Sequence, residues 1–292
     1  AIEDRIRVPH IPYWVSGVQD AINDIINQYR LDRQEDQEVY IELWVEKDAL
    51  SGVLKRITDH YHIHLMVNRG YSSCSAMHDA YDRFIKKLAD GKKVVLLYLG
   101  DHDPSGLDMD RDIKDRIKEF VINSDVLKNI WHEKANKSWG QGQYDKKFNR
   151  SSSDIQEWFD EQGLDEKELK EFYDMQDENH SILRMDKIFA FKTFLDNLEV
   201  RRIGLTTEQV KKYNPPPNPA KFSDPRAKWY VEQFGKTSWE VDALNPKILH
   251  ELVRKNVEGL IDIKSFNTKI KLEDKGKKEL EKLNEIYERE FK

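Results

Sequence analysis

Cysteine is almost absent from this chain: Cys74 is the single thiol in 292 residues. One thiol excludes an internal disulfide framework and any CxxC zinc site, and makes a reducing cytoplasm the expected compartment. Long apolar runs are missing too. Nothing approaches the ~18 consecutive apolar residues of a membrane span, and the opening AIEDRIRVPH lacks the pattern of a signal peptide, so no membrane is expected as a partner. A nucleotide P-loop is excluded as well. Gly235-Lys236-Thr237 imitates the end of one, but Tyr230 stands where the motif needs its first glycine. Excess positive charge is lacking: 48 Lys+Arg against 54 Asp+Glu leave a net charge of −6. That balance argues against a protein that coats nucleic acid by bulk electrostatics. It leaves room for a local basic surface around an acidic, metal-loaded centre. No internal repeat is visible, and the first residue is Ala1 rather than Met, so an upstream segment is expected.

Aromatic residues are plentiful, with 7 Trp, 12 Tyr and 12 Phe, enough to anchor cores for roughly two domains at about 150 residues each. Residues Ile11–Leu31 space Trp14, Val15, Val18, Ile22, Ile25 and Ile26 as an amphipathic helix, capped near Ser16. Strand and helix then alternate. Val39–Val45 reads as a strand, Asp48–His60 as a helix, Ile63–Val67 as a strand and Ser75–Leu88 as a helix ended by Gly91. Lys93–Leu99 is the apolar run of a strand covered on both faces, and Leu107–Phe120 is helical. This alternation predicts βαβ units and a parallel sheet. Val121–Glu199 differs in character, with the loop-like Ser138–Gln143 and polar Asn149–Ser153, and reads as a helical insertion. Strand character resumes at Val200–Leu205. Tyr213–Pro219 is a polyproline linker, and residues 213–292 form a mostly helical C-terminal extension. The expected organisation is an N-terminal helical segment 1–38, a core of 39–120 and 200–212, the insertion 121–199 and that extension.

Chemistry concentrates at two strand ends. The first strand runs into Val45-Glu46-Lys47-Asp48-Ala49, and the third into Gly100-Asp101-His102-Asp103-Pro104-Ser105-Gly106. In an open parallel sheet, ligands sit outside the carboxyl ends of the strands, so Glu46, Asp101 and Asp103 are expected to face one another there. Asp101 and Asp103 are two apart, and extended backbone would point both the same way. Three clustered carboxylates repel unless a cation compensates. Mg²⁺ takes hard oxygen ligands and keeps waters for a phosphate substrate. A lone Asp-x-Asp is a weak signal; its pairing with Glu46, 55 positions earlier in the same βαβ series, is a stronger one.

These two segments resemble the Toprim domain shared by topoisomerases, primases and related nucleases, in the form found in the topoisomerase VI A subunit and its meiotic double-strand-break relatives. Arg202-Ile-Gly-Leu205-Thr206 followed by Glu208 is similar to a family segment after the next strand, and Ser238–Leu244 to a Glu-containing segment before its last helices. His102 stands where the family has glycine. The resemblance implies an α/β Toprim fold, a Rossmann-like parallel sheet flanked by helices. It implies a Mg²⁺-dependent enzyme, with Mn²⁺ as a substitute, that cleaves DNA phosphodiesters. Glu46, Asp101 and Asp103 would be the metal ligands, and Glu46 also the general acid/base. Lys47 would neutralise a phosphate or serve as a salt-bridge lysine, while Asp48 would orient Lys47 or cap the following helix. Asp108, Glu240 and Asp242 would be outer-shell or second-metal groups. DNA is the implied partner, with a homodimer left open.

One departure matters. The topoisomerase family uses a tyrosine on a winged-helix domain before the Toprim domain, and only 38 residues precede Val39. Tyr13 and Tyr29 sit in no such domain and read as packing residues. The chain would then hydrolyse DNA with metal-activated water, need an upstream tyrosine domain, or bind DNA without cutting it. A haloacid-dehalogenase-type phosphatase with Asp101 as nucleophile is disfavoured, because that class places its motif on the first strand. Arg69, Arg201, Arg202, Lys211 and Lys212 are candidate phosphate contacts. Arg69–Ser73 reads equally as a turn and a helix cap, and Cys74 beside it as a buried thiol. His62 and His64 would share a strand face, close to His60.

Overall fold

A computed structural model describes residues 13–68, 74–122, 196–220 and 225–291. The body of the expected insertion and Arg69 lie outside the described residues. At its described ends, α4 (Met109–Ile122) runs two residues into that stretch and β4 (Leu198–Gly204) begins before its end.

The chain divides into two compact units, one of Ala1–Ser72, Lys92–Asp112 and Glu199–Lys292, the other of Ser73–Gly91 and Ile113–Leu198. In the first, β1 (Val39–Val45), β2 (His64–Val67), β3 (Lys93–Leu99) and β4 form a parallel sheet in the order β2-β1-β3-β4, an α/β arrangement flanked by helices. Trp44 pairs with Met66 on one side and Tyr98 on the other; Val45 pairs with Val67 and Leu99. The strands are rich in β-branched and aromatic residues because both faces are covered. On one face Ile41, Leu43, Val45, Val95, Leu97 and Leu99 pack with Leu54 of α2 (Ser51–Tyr61). Completing that core are Leu249, Val253 and Val257, three residues that lie in the later helix Pro246–Glu258. Each such aliphatic side chain contributes roughly 1.5–3 kcal/mol by leaving water. The other face, with Tyr40, Trp44, Leu96 and Tyr98, is buried as well.

Local chemistry sets the boundaries. The stretch Asp48–Leu50 is a tight 3-10 turn rather than the first turn of α2, and α2 ends where His62 adopts a left-handed φ of 52°. That turn separates the three histidines: His60 is in the last turn of the helix, His62 follows its end and His64 is in β2, so His62 and His64 do not share a strand face. No side chain caps α2, and the expected capping role of Asp48 is not met; its Oδ1 instead accepts the Ser51 hydroxyl at 3.3 Å. Helix α1 (Val18–Gln28) starts after Gly17, later than the apolar spacing suggests. Tyr13 is 73% exposed and donates to Asp24 at 3.0 Å, so it is not a packing residue. Tyr29 does pack: a Cβ on Gly276 would meet its phenol at 2.5 Å.

In the second unit, α3 (Cys74–Ala89) buries Met77, Tyr81, Phe84 and Leu88, and Gly91 follows with φ 81°. Phe120 of α4 sets its ring 5.4 Å from His78 and 6.0 Å from Tyr81. Cys74 is exposed, not buried, because it falls in the first, outward turn of its helix.

After β4 the chain forms α5 (Thr207–Tyr213), opened by a reciprocal cap between Thr206 and Gln209. The proline-rich stretch is more than a linker. Its end, β5 (Asn218–Pro219), pairs antiparallel with β6 (Thr237–Ser238), and the helix between them is α6 (Ala227–Phe234). Gly235-Lys236-Thr237 is thereby a turn into a strand: Gly235 ends α6 at φ 82° and the Lys236 carbonyl accepts from Ala220 at 3.0 Å. Helices α7 (Pro246–Glu258) and α8 (Ile263–Phe291) complete the first unit. Among the described residues no helix is long and apolar enough to cross a membrane.

Candidate active site

The carboxyl ends of β1 and β3 lie side by side, and the chain beyond them keeps the ladder going. Glu46 N–H donates to the Leu99 carbonyl at 2.9 Å, so Glu46 is held level with Gly100. Its carboxylate then turns back, and Oε2 accepts the Asp101 N–H at 2.9 Å. Asp101 is 4% exposed; its Oδ1 accepts the Val241 N–H at 2.8 Å and its Oδ2 stands 3.3 Å from Lys47 Nζ. Asp103 is 5% exposed and accepts the Gly106 N–H at 2.6 Å on Oδ1. The segment is bent rather than extended, so Asp101 faces Lys47 while Asp103 folds over its own turn. Glycine is required at 106, where a Cβ would collide with the Asp101 carbonyl oxygen and stand 3.2 Å from Asp103 Oδ1.

Lys47 carries the compensating charge. Its ammonium is 2.9 Å from Glu240, 3.0 Å from Asp242 and 3.3 Å from Asp101. Burial works against that charge, but hydrogen bonds to Glu240 and Asp242 and the Asp101 carboxylate outweigh it and raise the lysine pKa. The carboxylates are less well served. Burial, then the Asp101 charge, raises the pKa of Glu46. Burial also raises that of Asp101, despite the Val241 N–H and Lys47. Burial is thus the larger cause for both groups, and for Glu46 the charge of Asp101 adds to it.

His102, the departure inside the motif, links this edge to the C-terminal region. Its backbone exchanges hydrogen bonds with Trp239 at 2.8 and 3.0 Å, and its ring nitrogens meet Tyr230 Oη at 2.9 Å and Thr207 Oγ1 at 3.0 Å. The ring lies edge-on to Phe234 and Trp239, 4.9 and 5.6 Å away, and burial lowers its pKa. A glycine here could make none of the side-chain contacts. By fixing Trp239, His102 brings Glu240 and Asp242 to Lys47.

The other candidates scatter. Arg202 gives four of its five N–H donors to main-chain carbonyls: Leu205 at 3.2 Å, Gly106 at 2.8 Å, Gly100 at 2.9 Å, and Asp101. It clamps the Gly100–Gly106 loop against the turn after β4. Arg201 pairs with Glu199 at 2.6 Å. Asp108 is held by Arg111 at 2.7 Å and Arg226 at 2.9 Å. Lys212 lies over the Tyr213 ring at 4.9 Å.

By chemistry the edge suits a divalent cation: hard carboxylate oxygens, two of them with raised proton affinity. Among the described residues, however, no three His, Cys, Asp or Glu side chains stand in coordinating geometry. Comparison with family models, with curated proteins and with solved structures gives no match. The functional reading rests on the residues themselves.

Proposed function

We propose that the chain is a Mg²⁺-dependent DNA-processing enzyme of the Toprim type that cleaves phosphodiesters. One observation supports this above the others: half-buried Glu46 and buried Asp101 come from adjacent strand ends, the Asp101 N–H donates to the Glu46 carboxylate, and both carboxyl pKa values are raised. Glu46, Asp101 and Asp103 would hold the ion. The chemistry Mg²⁺ supplies when bound is Lewis-acid polarisation of a phosphodiester and neutralisation of its charge. The rest falls to the chain. Glu46, its pKa raised by burial and by Asp101, is placed to take a proton from an attacking water and return it to the leaving oxygen. Lys47, already shared among three carboxylates, can move its ammonium to a phosphate oxygen. Arg202 keeps the Gly100–Gly106 loop in register while charge redistributes above it.

A second reading has its own support. Lys47 sits where a cation is needed, and a site closed by its own lysine suits a DNA-binding module without turnover. Supercoiled plasmid with Mg²⁺ or Mn²⁺ separates the two. The enzyme reading expects nicked or linear product from the wild type and none from Glu46→Ala or Asp101→Ala. Equal cleavage by both variants removes the assignment, and DNA affinity with no turnover under either metal selects the module.

A further inference from the structure

Two strand ends on one face of the sheet leave buried polar atoms unsatisfied. Tyr98 is 0% exposed and Asn68 1%, yet the Tyr98 hydroxyl and both polar side-chain atoms of Asn68 have no hydrogen-bond partner among the described residues. Leaving such groups dry is costly, and native proteins satisfy them with ordered water or a ligand.

The register puts these atoms together. Met66, Trp44 and Tyr98 are paired across β2, β1 and β3, and side chains two residues on return to the same face. Asn68 N–H donates to the Val45 carbonyl at 2.7 Å, just as Glu46 N–H donates to Leu99, so Asn68, Glu46 and Gly100 form the next row. Gly100 has no side chain, and the Tyr98 ring fills that gap. A Cβ on Gly100 would lie 2.5 Å from Tyr98 Cε1 and 2.8 Å from its Oη. The phenol therefore lies along its strand with the hydroxyl over Gly100, level with Glu46. Burial and the Glu46 charge raise the Tyr98 pKa, which keeps the hydroxyl a donor.

We infer that Asn68, Glu46 and Tyr98 hold one water between them, and that this water is the nucleophile of phosphodiester hydrolysis. The role as nucleophile rests on the hydrolytic reading above. The valences close. Glu46 Oε2 is occupied by the Asp101 N–H, so the water donates one proton to Glu46 Oε1 and the other to Asn68 Oδ1. The Tyr98 hydroxyl donates to one lone pair and leaves the second for phosphorus. In the step the water oxygen bonds to phosphorus, its proton passes to Glu46, and the ester P–O bond breaks. The leaving alkoxide then takes a proton from Glu46.

Tyr98→Phe in the full chain tests both halves, because it removes only the hydroxyl. If a water is held, melting temperature falls by roughly 2–4 °C, the shift that losing one hydrogen bond gives at this size. If the space is dry, deleting an unsatisfied hydroxyl leaves melting unchanged or raises it, which overturns the inference. On plasmid with Mg²⁺, a misplaced nucleophile lowers kcat by roughly 10²-fold, with DNA affinity and half-saturating Mg²⁺ unchanged. Unchanged kcat, or a change confined to affinity, overturns the catalytic role. Asn68→Ala is expected to lower kcat in the same way. A wild type that cuts no DNA defeats the hydrolytic reading and the nucleophile with it, while the melting arm still decides whether the water is there.

Discussion

Two carboxylates in the same unit, one buried and one half-buried, behave in opposite ways. Glu273, on α8, is 1% exposed and has cations on several sides: Arg33 at 3.0 Å, Lys277 at 3.3 Å and Arg30 at 3.8 Å, with the Leu31 N–H at 3.2 Å on its other oxygen. Burial acts to raise its pKa, but these partners prevail and the net shift is downward. Glu46 is half-buried, and burial followed by the charge of Asp101 raises its pKa. Glu273 is a clasp that ties the chain before β1 to the C-terminal helix. Glu46 stands beside a second carboxylate, where an added cation or proton would relieve the repulsion. Depth of burial does not explain the contrast, since the more deeply buried carboxylate is the one whose pKa falls; the sign of the neighbouring charge does.

The largest effect expected from that contrast is on rate. Glu46→Gln keeps shape and hydrogen-bond acceptor but removes the base, so Mg²⁺-dependent plasmid cleavage should fall by roughly 10²–10⁴-fold. Glu273→Gln should leave the rate per folded molecule unchanged. Equal rate losses in the two variants would erase the distinction between clasp and site.

On stability the ranking reverses. Glu273→Ala strands Arg33 and Lys277 without their carboxylate, and breaking such a buried pair costs about 3 kcal/mol, readable as a lowered urea midpoint. Next in size is Gly106→Ala. Its methyl meets the Asp101 carbonyl and the Asp103 carboxylate, at a cost of about 1–3 kcal/mol for forced repacking. Because the displaced atoms belong to the site, this variant should lose activity as well as stability, whereas Glu273→Ala loses stability alone.

Much of this was legible in residue order. Period-two runs of Val, Ile, Leu and aromatics place β1 and β3, and the parallel sheet follows from the alternation with helices. Glu46, Asp101 and Asp103 stand out because short motifs at strand ends are local in sequence. What stayed hidden depends on partners far along the chain. Nothing near His102 announces Tyr230, Phe234 and Trp239, and nothing near Lys47 announces Glu240 and Asp242. Arg202 reads as a surface cation until its guanidinium is seen on four carbonyls. Asn68 and Tyr98 carry no motif at all; their signal is a missing partner, which exists only in three dimensions. Pro219 reads as a linker because proline breaks central strands, but a two-residue edge pairing tolerates it.

The smallest predicted effect is one of sign with pH. Glu46 has a native pKa above its ordinary value of 4.5, so at neutral pH its ionised form weakens the fold. As pH falls through the native pKa, the folded chain takes up the proton before the unfolded chain does, and that penalty disappears. Glu46→Gln should therefore melt above the wild type at pH 7, with the gap closing as pH approaches 4.5. Glu273 runs the other way. Its native pKa lies below 4.5, so its stabilisation is complete above that value and is lost as pH falls through the native pKa. The deficit of Glu273→Gln should thus persist through the range where the Glu46→Gln advantage vanishes, and shrink only in stronger acid. Melting curves of both variants and the wild type between pH 7 and 3 would show two separate windows. A single shared window would mean that the two carboxylates sit in equivalent electrostatic surroundings, and that Glu46 holds no charge awaiting a cation.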